Sequence, residues 1–332
     1  MNLITVIPAA GVGTRMRPLT NTVPKAMIMV AGKPILFHII QAAIDAGSNE
    51  FVIIVEYLSK VIIDSLPLHF PDIHFHFIQQ GEMKGLGHAI YLAENLCSGK
   101  PVLIIYGDTI FDKDLKEIVT QKLPQIGVME VEDPRRFGVV EIDENNYIKK
   151  FIEKPEKPTS NLAIPGVLYF PRSEKLFEAL KYIIDNNIKM KGEYQVTDAY
   201  EHMVQKGEKM QFFKLNAWYD CGKHSETLVT NKCLLEKSGS VIMGKMENCT
   251  IFDPVYISKG CFIKNSQLGP YLSMGINNQI AGSQIKNSIL GDNNRIHQCN
   301  LFDTMIGAEC KLKSVSGNYI LGDYSLLNEL QD

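Results

Sequence analysis

Apolar and polar positions follow two rhythms along this chain, and the rhythm changes near residue 239. In the first third, short apolar runs alternate with stripes of helical spacing. Residues 3–7 form an apolar run that leads into a segment rich in glycine and cations. Pro34 falls at the first position of an expected helix, where its missing N–H costs nothing. Ile35, Leu36, Ile39, Ile40, Ala43 and Ile44 then share one face, and Gly47 stops it. Residues 51–55 read as a buried strand, and 59–66 as a helix that Pro67 ends. His74 and His76 alternate with Phe75 and Phe77, the period of a half-buried strand. Two histidines on one strand face could hold a metal, but no acid or cysteine nearby in the sequence completes a ligand set, so a polar face is favoured. Residues 79–89 form a glycine-spaced loop that runs into a helical pattern to about Leu96, and an apolar strand at 102–106 ends in Gly107-Asp108. This alternation predicts a mostly parallel sheet covered on both sides. An acid just past the carboxyl end of a buried strand lies where open α/β sheets bind ligands.

From about residue 125 the strands come closer together, at 127–131, 138–142, 147–153 and 163–170, separated by turn-rich stretches. Helices are expected near 173–186 and over 198–205, the latter with Thr197 or Asp198 as N-cap. A strand at 210–215, the Trp218-Tyr219-Asp220 segment and a helix to about Lys237 follow. Beyond Gly239 aliphatic residues recur every six positions: Ile251, Ile257, Ile263; Leu268, Met274, Ile280; Leu290, Ile296, Phe302. Ile306 and Leu312, then Leu321 and Leu327, continue the pattern after phase slips. Three six-residue members suit a triangular coil of short parallel strands with one aliphatic per face pointing inward, which resembles the hexapeptide-repeat left-handed β-helix. A small sandwich of short strands is the alternative. The expected division is 1–238 for an α/β, Rossmann-like mixed-sheet domain and 239–332 for the β-helix. Such a coil has open ends and edges, so a homo-oligomer built through it is expected.

Composition narrows the function classes. The 332 residues suit about two domains. The 34 basic and 37 acidic side chains nearly balance, which argues for neither nucleic acid nor a membrane surface as partner. If phosphates bind, the positive charge must be local. No apolar run approaches the ~18 residues needed to cross a bilayer, and the start of the chain lacks a secretory pattern. The seven cysteines are scattered without a C-x-x-C, which favours reduced thiols and a cytoplasmic setting.

The candidate chemistry is concentrated in residues 7–36. Glycines after a strand let the backbone approach an anion closely, and Arg15, Arg17 and Lys25 stand ready to neutralise phosphate. Taken alone, this pair of glycines is equally a plain turn, and it matches neither the dinucleotide fingerprint nor the P-loop. The whole string, however, resembles the signature of the sugar-1-phosphate nucleotidyltransferases: G-x-G-T-R-x-x-P-x-T, then P-K, then K-P. Gly11, Gly13, Thr14, Arg15, Pro18, Thr20, Pro24, Lys25, Lys33 and Pro34 fall in register.

The resemblance implies a role for each matching position. Ala10, Gly11, Gly13 and Thr14 would hold the nucleotide, Arg15 would meet its β/γ-phosphates, and Lys25 would contact both phosphate sets. Gln80 and Gly85 would read a pyrimidine. Asp108 and Asp220 would bind Mg²⁺, which favours one or two carboxylates plus phosphates and waters. Glu153 would hold sugar hydroxyls, Lys154 the sugar phosphate, and Gly138 would approach the sugar by its backbone. The implied partners are a nucleoside triphosphate and a sugar-1-phosphate. Simpler readings stand beside these: Arg15 or Lys25 as solvated charges, Asp108 as the cap of a helix near 112–114, Asp220 as a turn anchor, and Glu153-Lys154 as a strand end.

Two departures leave the substrates open. Ala9-Ala10 replaces the glycine pair usual before Gly11 in thymidylyl members, and only Tyr169 and Phe170 lie near the place of a sugar-contacting aromatic. Residues 84–89 look uridylyl-like, whereas FGVVE, FIEKP and WYDCG look thymidylyl-like. The expected reaction joins dTTP or UTP to a hexose-1-phosphate, glucose-1-phosphate first. The alternatives are a GDP-mannose-type guanylyltransferase, a UDP-N-acetylglucosamine pyrophosphorylase and a non-catalytic sensing or assembly subunit. Acyl transfer on the coil is disfavoured, because His297 is its only histidine.

Overall fold

The computed structural model describes residues 2–328. By internal contacts the chain forms two compact units, Met1–Gly11 with His38–Trp218, and Val12–Phe37 with Tyr219–Asp332. The second unit therefore combines the glycine- and cation-rich segment with the repeat region.

A ten-stranded mixed sheet forms the first unit. Its strands are β1 (Ile4–Pro8), β2 (Glu50–Val55), β3 (His74–Gln79), β4 (Val102–Ile105), β5 (Gln125–Glu130), β6 (Gly138–Ile142), β7 (Ile148–Glu153), β8 (Leu162–Ala163), β9 (Val167–Phe170) and β10 (Gln211–Lys214). They run in the order β7-β6-β8-β5-β9-β4-β1-β2-β3, with β10 paired to β5. β4, β1, β2 and β3 are parallel, and β9 is antiparallel to both β4 and β5. Most of β2 is apolar and buried, as a central parallel strand covered on both faces must be. Leu176, Phe177, Leu180, Tyr200 and Met203, on two later helices, pack in one core with Ile4, Val52, Val102 and Phe170.

Several element boundaries differ from those the sequence suggests. Pro34 pairs, with Lys33, against Met29–Val30, so helix α1 (Ile35–Asp45) starts one residue later. Helix α2 (Ser59–His69) runs two residues past Pro67, although that proline supplies no N–H to the helical ladder. The expected helix to Leu96 is broken into α3 (Leu86–Tyr91) and α4 (Glu94–Cys97). Helix α5 (Glu174–Asp185) falls where expected. Helix α6 (Val196–Gln205) opens from Gln195, which puts Thr197 and Asp198 inside its first turn rather than at the cap. No helix forms near 112–114, where Thr109–Asp112 is a strand, so Asp108 caps nothing there. Helix α7 (His224–Ser238) belongs to the second unit.

From Val241 the second unit is a left-handed β-helix, with three parallel sheets of six, six and five short strands among the described residues. Ile257, Met274, Leu290 and Ile306 fill the interior from one face, Ile263, Ile280, Ile296 and Leu312 from the second, and Leu268, Ile285 and Leu301 from the third. The sequence repeat errs on this third face, where Leu301 is buried instead of Phe302 and Ile285 was passed over. Ile263 pairs with Ile280 seventeen positions on, and Ile280 with Ile296 sixteen on, so each coil falls short of three full hexapeptides.

Asparagine turns the corners: Asn248, Asn265, Asn277 and Asn293 all have φ between 49° and 58°, which asparagine tolerates better than most residues. Asn248 donates to Asn265 Oδ1 (2.8 Å) and Asn277 to Asn293 Oδ1 (3.2 Å), linking successive coils. None of the seven cysteines forms a disulfide, and burial pushes the Cys97 thiol up to about 12. Among the described residues no helix is long and apolar enough to cross a membrane.

Candidate active site

In the first unit, the ends of β1 and β4 lie side by side. Gly107 N–H donates to Pro8 O at 3.1 Å, and a Cβ on Gly107 would fall 2.6 Å from that oxygen. Only a glycine allows this approach. Asp108 follows, half-buried, just past the carboxyl end of β4. Ala10 is buried and Gly11 exposed as β1 ends.

Gln80 is held by its surroundings. It is 6% exposed, its N–H donates to Val55 O, and its Nε2 donates to Gly85 O at 3.2 Å. That bond fixes which end of the amide is the acceptor. Gly85 takes φ 101°, and a Cβ there would lie 2.7 Å from Tyr194 O. Tyr194 also bonds the loop from both sides, by its N–H to Lys84 O and its carbonyl to Gly87 N–H.

Glu153, Lys154 and Gly138 come together at the β6–β7 pair. Glu153 accepts from Thr197 Oγ1 at 2.8 Å and pairs with Lys154 Nζ at 3.0 Å. A Cβ on Gly138 would meet Thr197 Cγ2 at 2.7 Å and Glu153 Oε2 at 3.1 Å. Burial, then the Glu153 charge, raises the Asp198 carboxyl above its ordinary range. Burial and the same charge also push the Tyr106 hydroxyl upward. Tyr169 and Phe170 are fully buried, so neither presents a ring to a ligand. Trp218 meets Phe137 edge-on at 4.8 Å, and its buried indole N–H has no partner among the described residues. Thr197, Tyr194 and Trp218 are neighbours of these groups that no sequence expectation placed there; the available signal was that Trp218 and Phe137 are the first residues of WYDCG and FGVVE.

The second unit gathers the charged candidates. Gly13 is left-handed (φ 67°, ψ 40°), and a Cβ there would lie 2.8 Å from Lys25 Cβ. Thr20 Oγ1 donates to Gly13 O at 2.9 Å. Thr14, Arg15 and Lys25 sit on three-residue 3-10 turns, Thr14–Met16 and Lys25–Met27, with Thr14 and Arg15 exposed and Lys25 half-buried. Gly222 lies between Arg15 and Asp220. A Cβ on it would fall 2.9 Å from Asp220 Oδ1 and 3.3 Å from Arg15 Nη2. Two groups about 200 residues apart in sequence thus share one glycine cradle. No cluster of three or more His, Cys, Asp or Glu side chains suited to a metal occurs among the described residues.

Residues 4–237 match the Nucleotidyl transferase family. The chain is 37% identical over 328 residues to "Bifunctional protein GlmU" of Methanocaldococcus jannaschii, covering 92% of this chain and 78% of that protein. It is 28% identical over 314 residues to "Glucose-1-phosphate thymidylyltransferase" of Streptomyces antibioticus, covering 86% of each. Among solved structures, UDP-glucose pyrophosphorylase complexed with UDP-glucose superposes with a TM-score of 0.61 at 26% identity, over 71% of this chain and 100% of that one. The chain belongs to the nucleotidyl transferase family, within its sugar-1-phosphate nucleotidyltransferases.

Proposed function

We propose that this protein transfers a nucleotidyl group from dTTP or UTP to a hexose-1-phosphate, with glucose-1-phosphate as the leading acceptor. A phosphate oxygen of the sugar phosphate attacks the α-phosphorus, the bond from that phosphorus to the β-phosphate bridging oxygen breaks, and pyrophosphate leaves with the electron pair. The nucleophile is already anionic, so no side chain needs to remove a proton. The obstacle is repulsion between two polyanions, which positioned cations offset. The observation that carries the reading is the approach of a guanidinium and a carboxylate to one glycine: a Cβ on Gly222 would lie 2.9 Å from Asp220 Oδ1 and 3.3 Å from Arg15 Nη2.

In this reading the backbone of Ala10, Gly11, Gly13 and Thr14 wraps the nucleotide, Arg15 neutralises the β/γ-phosphates, and Lys25 bridges both phosphate sets. Gln80, its amide fixed by Gly85 O, offers Oε1 to the pyrimidine N3–H, and the Gly85 backbone offers a second hydrogen bond. Glu153 takes sugar hydroxyls, Lys154 takes the sugar phosphate, and Gly138 lets the sugar approach. Nucleotidyltransferases of this family generally use a divalent metal. Mg²⁺ would be held by Asp108 and Asp220, both hard oxygen donors, and would neutralise phosphate charge when bound. The tight packing of Asp220 on Gly222 suits a ligand held in one orientation.

Pyrophosphate release tests the reading, using each triphosphate against a panel of sugar phosphates. Turnover with UTP or dTTP and a hexose-1-phosphate is expected; reaction with GTP alone would overturn the role of Gln80. A second reading, UDP-N-acetylglucosamine pyrophosphorylase, is favoured by the 37% likeness to GlmU and predicts preference for N-acetylglucosamine-1-phosphate in the same panel. We further read 1–238 as the catalytic domain and 239–332 as the β-helix domain, of which residues 329–332 lie outside the described residues. A cytoplasmic homo-oligomer joined through the coil completes the proposal.

A further inference from the structure

We propose that Asn231 is a positioning residue for the triphosphate-binding segment, and that through it the β-helix forms part of the catalytic apparatus. This inference rests on the function proposed above. Asn231 is fully buried on α7 and uses both ends of its amide. Its Nδ2 donates to Tyr271 O at 3.0 Å, and its Oδ1 accepts from Ser273 Oγ at 2.6 Å, both on the coil. The same Oδ1 accepts from Ala31 N–H at 2.9 Å. Ala31 stands in the turn between the paired strands Met29–Val30 and Lys33–Pro34, four residues beyond the Lys25–Met27 turn. One side chain therefore joins a coil, a helix and the segment that carries Lys25.

The neighbouring contacts point the same way. Gly32 lies flat on the Tyr256 ring, where a Cβ would fall 2.4 Å from three ring carbons. Ala31 itself has φ 46°, a left-handed conformation that costs energy for alanine and persists only where surroundings hold it. Pro18 packs against Gly322 in the last coil, and the sulfur of buried Met16 lies 4.0 Å from the Thr227 hydroxyl of α7, which itself donates to Lys223 O. From Met16 to Gly32 the segment is backed by α7 and by coils at both ends of the β-helix. Lys25 in turn backs Gly13, where its Cβ allows only a glycine. Loss of the Asn231 acceptor frees the Ala31 turn, and the slack reaches Lys25 and Gly13. Cations that must meet a phosphate to within a fraction of an ångström lose effect when they wander.

The test compares three variants of the full chain by steady-state kinetics and thermal melting. Asn231→Ala is expected to raise the triphosphate KM about tenfold and lower kcat by a similar factor, with a clearly smaller rise in the sugar-1-phosphate KM, because, of the displaced groups, only Lys25 meets the sugar phosphate. Tyr256→Ala, which leaves the Asn231 amide network in place, is expected to shift the same two parameters in the same direction, and it carries the test should Asn231→Ala fail to fold. Leu301→Ala, in the coil core, is expected to lower the melting temperature while leaving the triphosphate KM unchanged. Unchanged triphosphate KM and kcat in both Asn231→Ala and Tyr256→Ala would overturn the inference. So would equal rises in both KM values, or a Leu301→Ala variant that reproduces the Asn231→Ala split, since each describes a merely structural role. A wild-type chain that releases no pyrophosphate with any pair of substrates would instead overturn the function on which the inference rests.

Discussion

The two units hold their candidate groups by opposite means. In the first unit the groups proposed to read base and sugar are fixed by their own neighbours: Gln80 donates to Gly85 O, Gly85 abuts Tyr194 O, and Glu153 lies between Thr197 and Lys154. In the second unit the groups are charges on short turns, Arg15 exposed and Lys25 half-buried, and their order comes from glycine packing and from the Asn231 node. A recognition surface gains selectivity from hydrogen bonds that cannot adapt, because a wrong partner then leaves a buried group unpaired. Charge neutralisation depends on where the charge is placed more than on a complementary surface around it. The first unit should therefore govern the choice of base and sugar, and the second kcat together with the hold on the triphosphate.

The sharpest way to break this comparison is to remove the acids. Asp220→Ala in the second unit is expected to lower kcat at least about a hundredfold, the scale seen when a group stabilising transition-state charge is lost. Asp108→Ala should do the same although it stands in the first unit, because its proposed role is metal binding. Melting temperatures close to wild type would show that the fold is intact. If Asp220→Ala changed only the preference between triphosphates, the division of labour would be wrong.

Gly85→Ala probes the recognition side. A methyl there would stand 2.7 Å from Tyr194 O in a backbone conformation that alanine resists, so the loop must move and Gln80 loses its anchor. The expected result is a triphosphate KM raised about tenfold to a hundredfold, or ~1–3 kcal/mol, with kcat at saturation within a few-fold. Kinetics with UTP and dTTP would check it, and a kcat loss equal to that of Asp220→Ala would count against the comparison.

The sequence made some of this legible and hid the rest for physical reasons. The glycine corner and Asp108 at a strand end could be read because backbone demands leave marks on single residues, whereas Glu153-Lys154 in FIEKP stood out only through the family resemblance. The coil could be read because one inward aliphatic per face is a periodic requirement. Its third face could not: the corner from Ile280 to Ile285 and from Ile296 to Leu301 takes five positions, so a strict count of six lands on Phe302. Thr197 looked like a cap because threonine before a helical stretch often is one. Instead its hydroxyl bonds Glu153, 44 positions earlier, and pairings across such a distance leave no local pattern. The Asn231–Ala31 bond spans 200 positions and is invisible for the same reason.

That Thr197–Glu153 bond gives a milder test of the first unit. Thr197→Val keeps the branched shape and the contact of Cγ2 with Gly138 while deleting the donor. Glu153 keeps its pairing with Lys154, so the carboxylate is loosened but not stranded. A sugar-1-phosphate KM raised roughly fivefold to tenfold, ~1–1.4 kcal/mol, is expected with the triphosphate KM unchanged. A shift in the triphosphate KM instead would mean that the sugar and base groups are not separable in the way proposed.

The smallest expected effect concerns stability alone, and it separates folding charge from functional charge. Glu50, at the start of β2, bonds Lys100 Nζ at 2.8 Å and His76 Nε2 at 3.1 Å. Burial by itself would raise its carboxyl, but the hydrogen bonds and charges of Lys100 and His76 outweigh that and hold it below the usual glutamate range. A lowered carboxylate stabilises the fold at any pH above its unfolded value of 4.5, and that stabilisation is lost as pH falls through the lower folded value. The group is partly solvated, so the contribution is under about 1 kcal/mol. Urea midpoints of wild type and Glu50→Gln should therefore differ at pH 7 and converge only as pH falls well below 4.5, with kcat at pH 7 the same in both. Parallel acid profiles would show that Glu50 adds nothing to folding. A lower kcat in Glu50→Gln would mean that charge in the first unit reaches the chemistry by a route other than Asp108 and Lys154, which the contrast between the units does not allow.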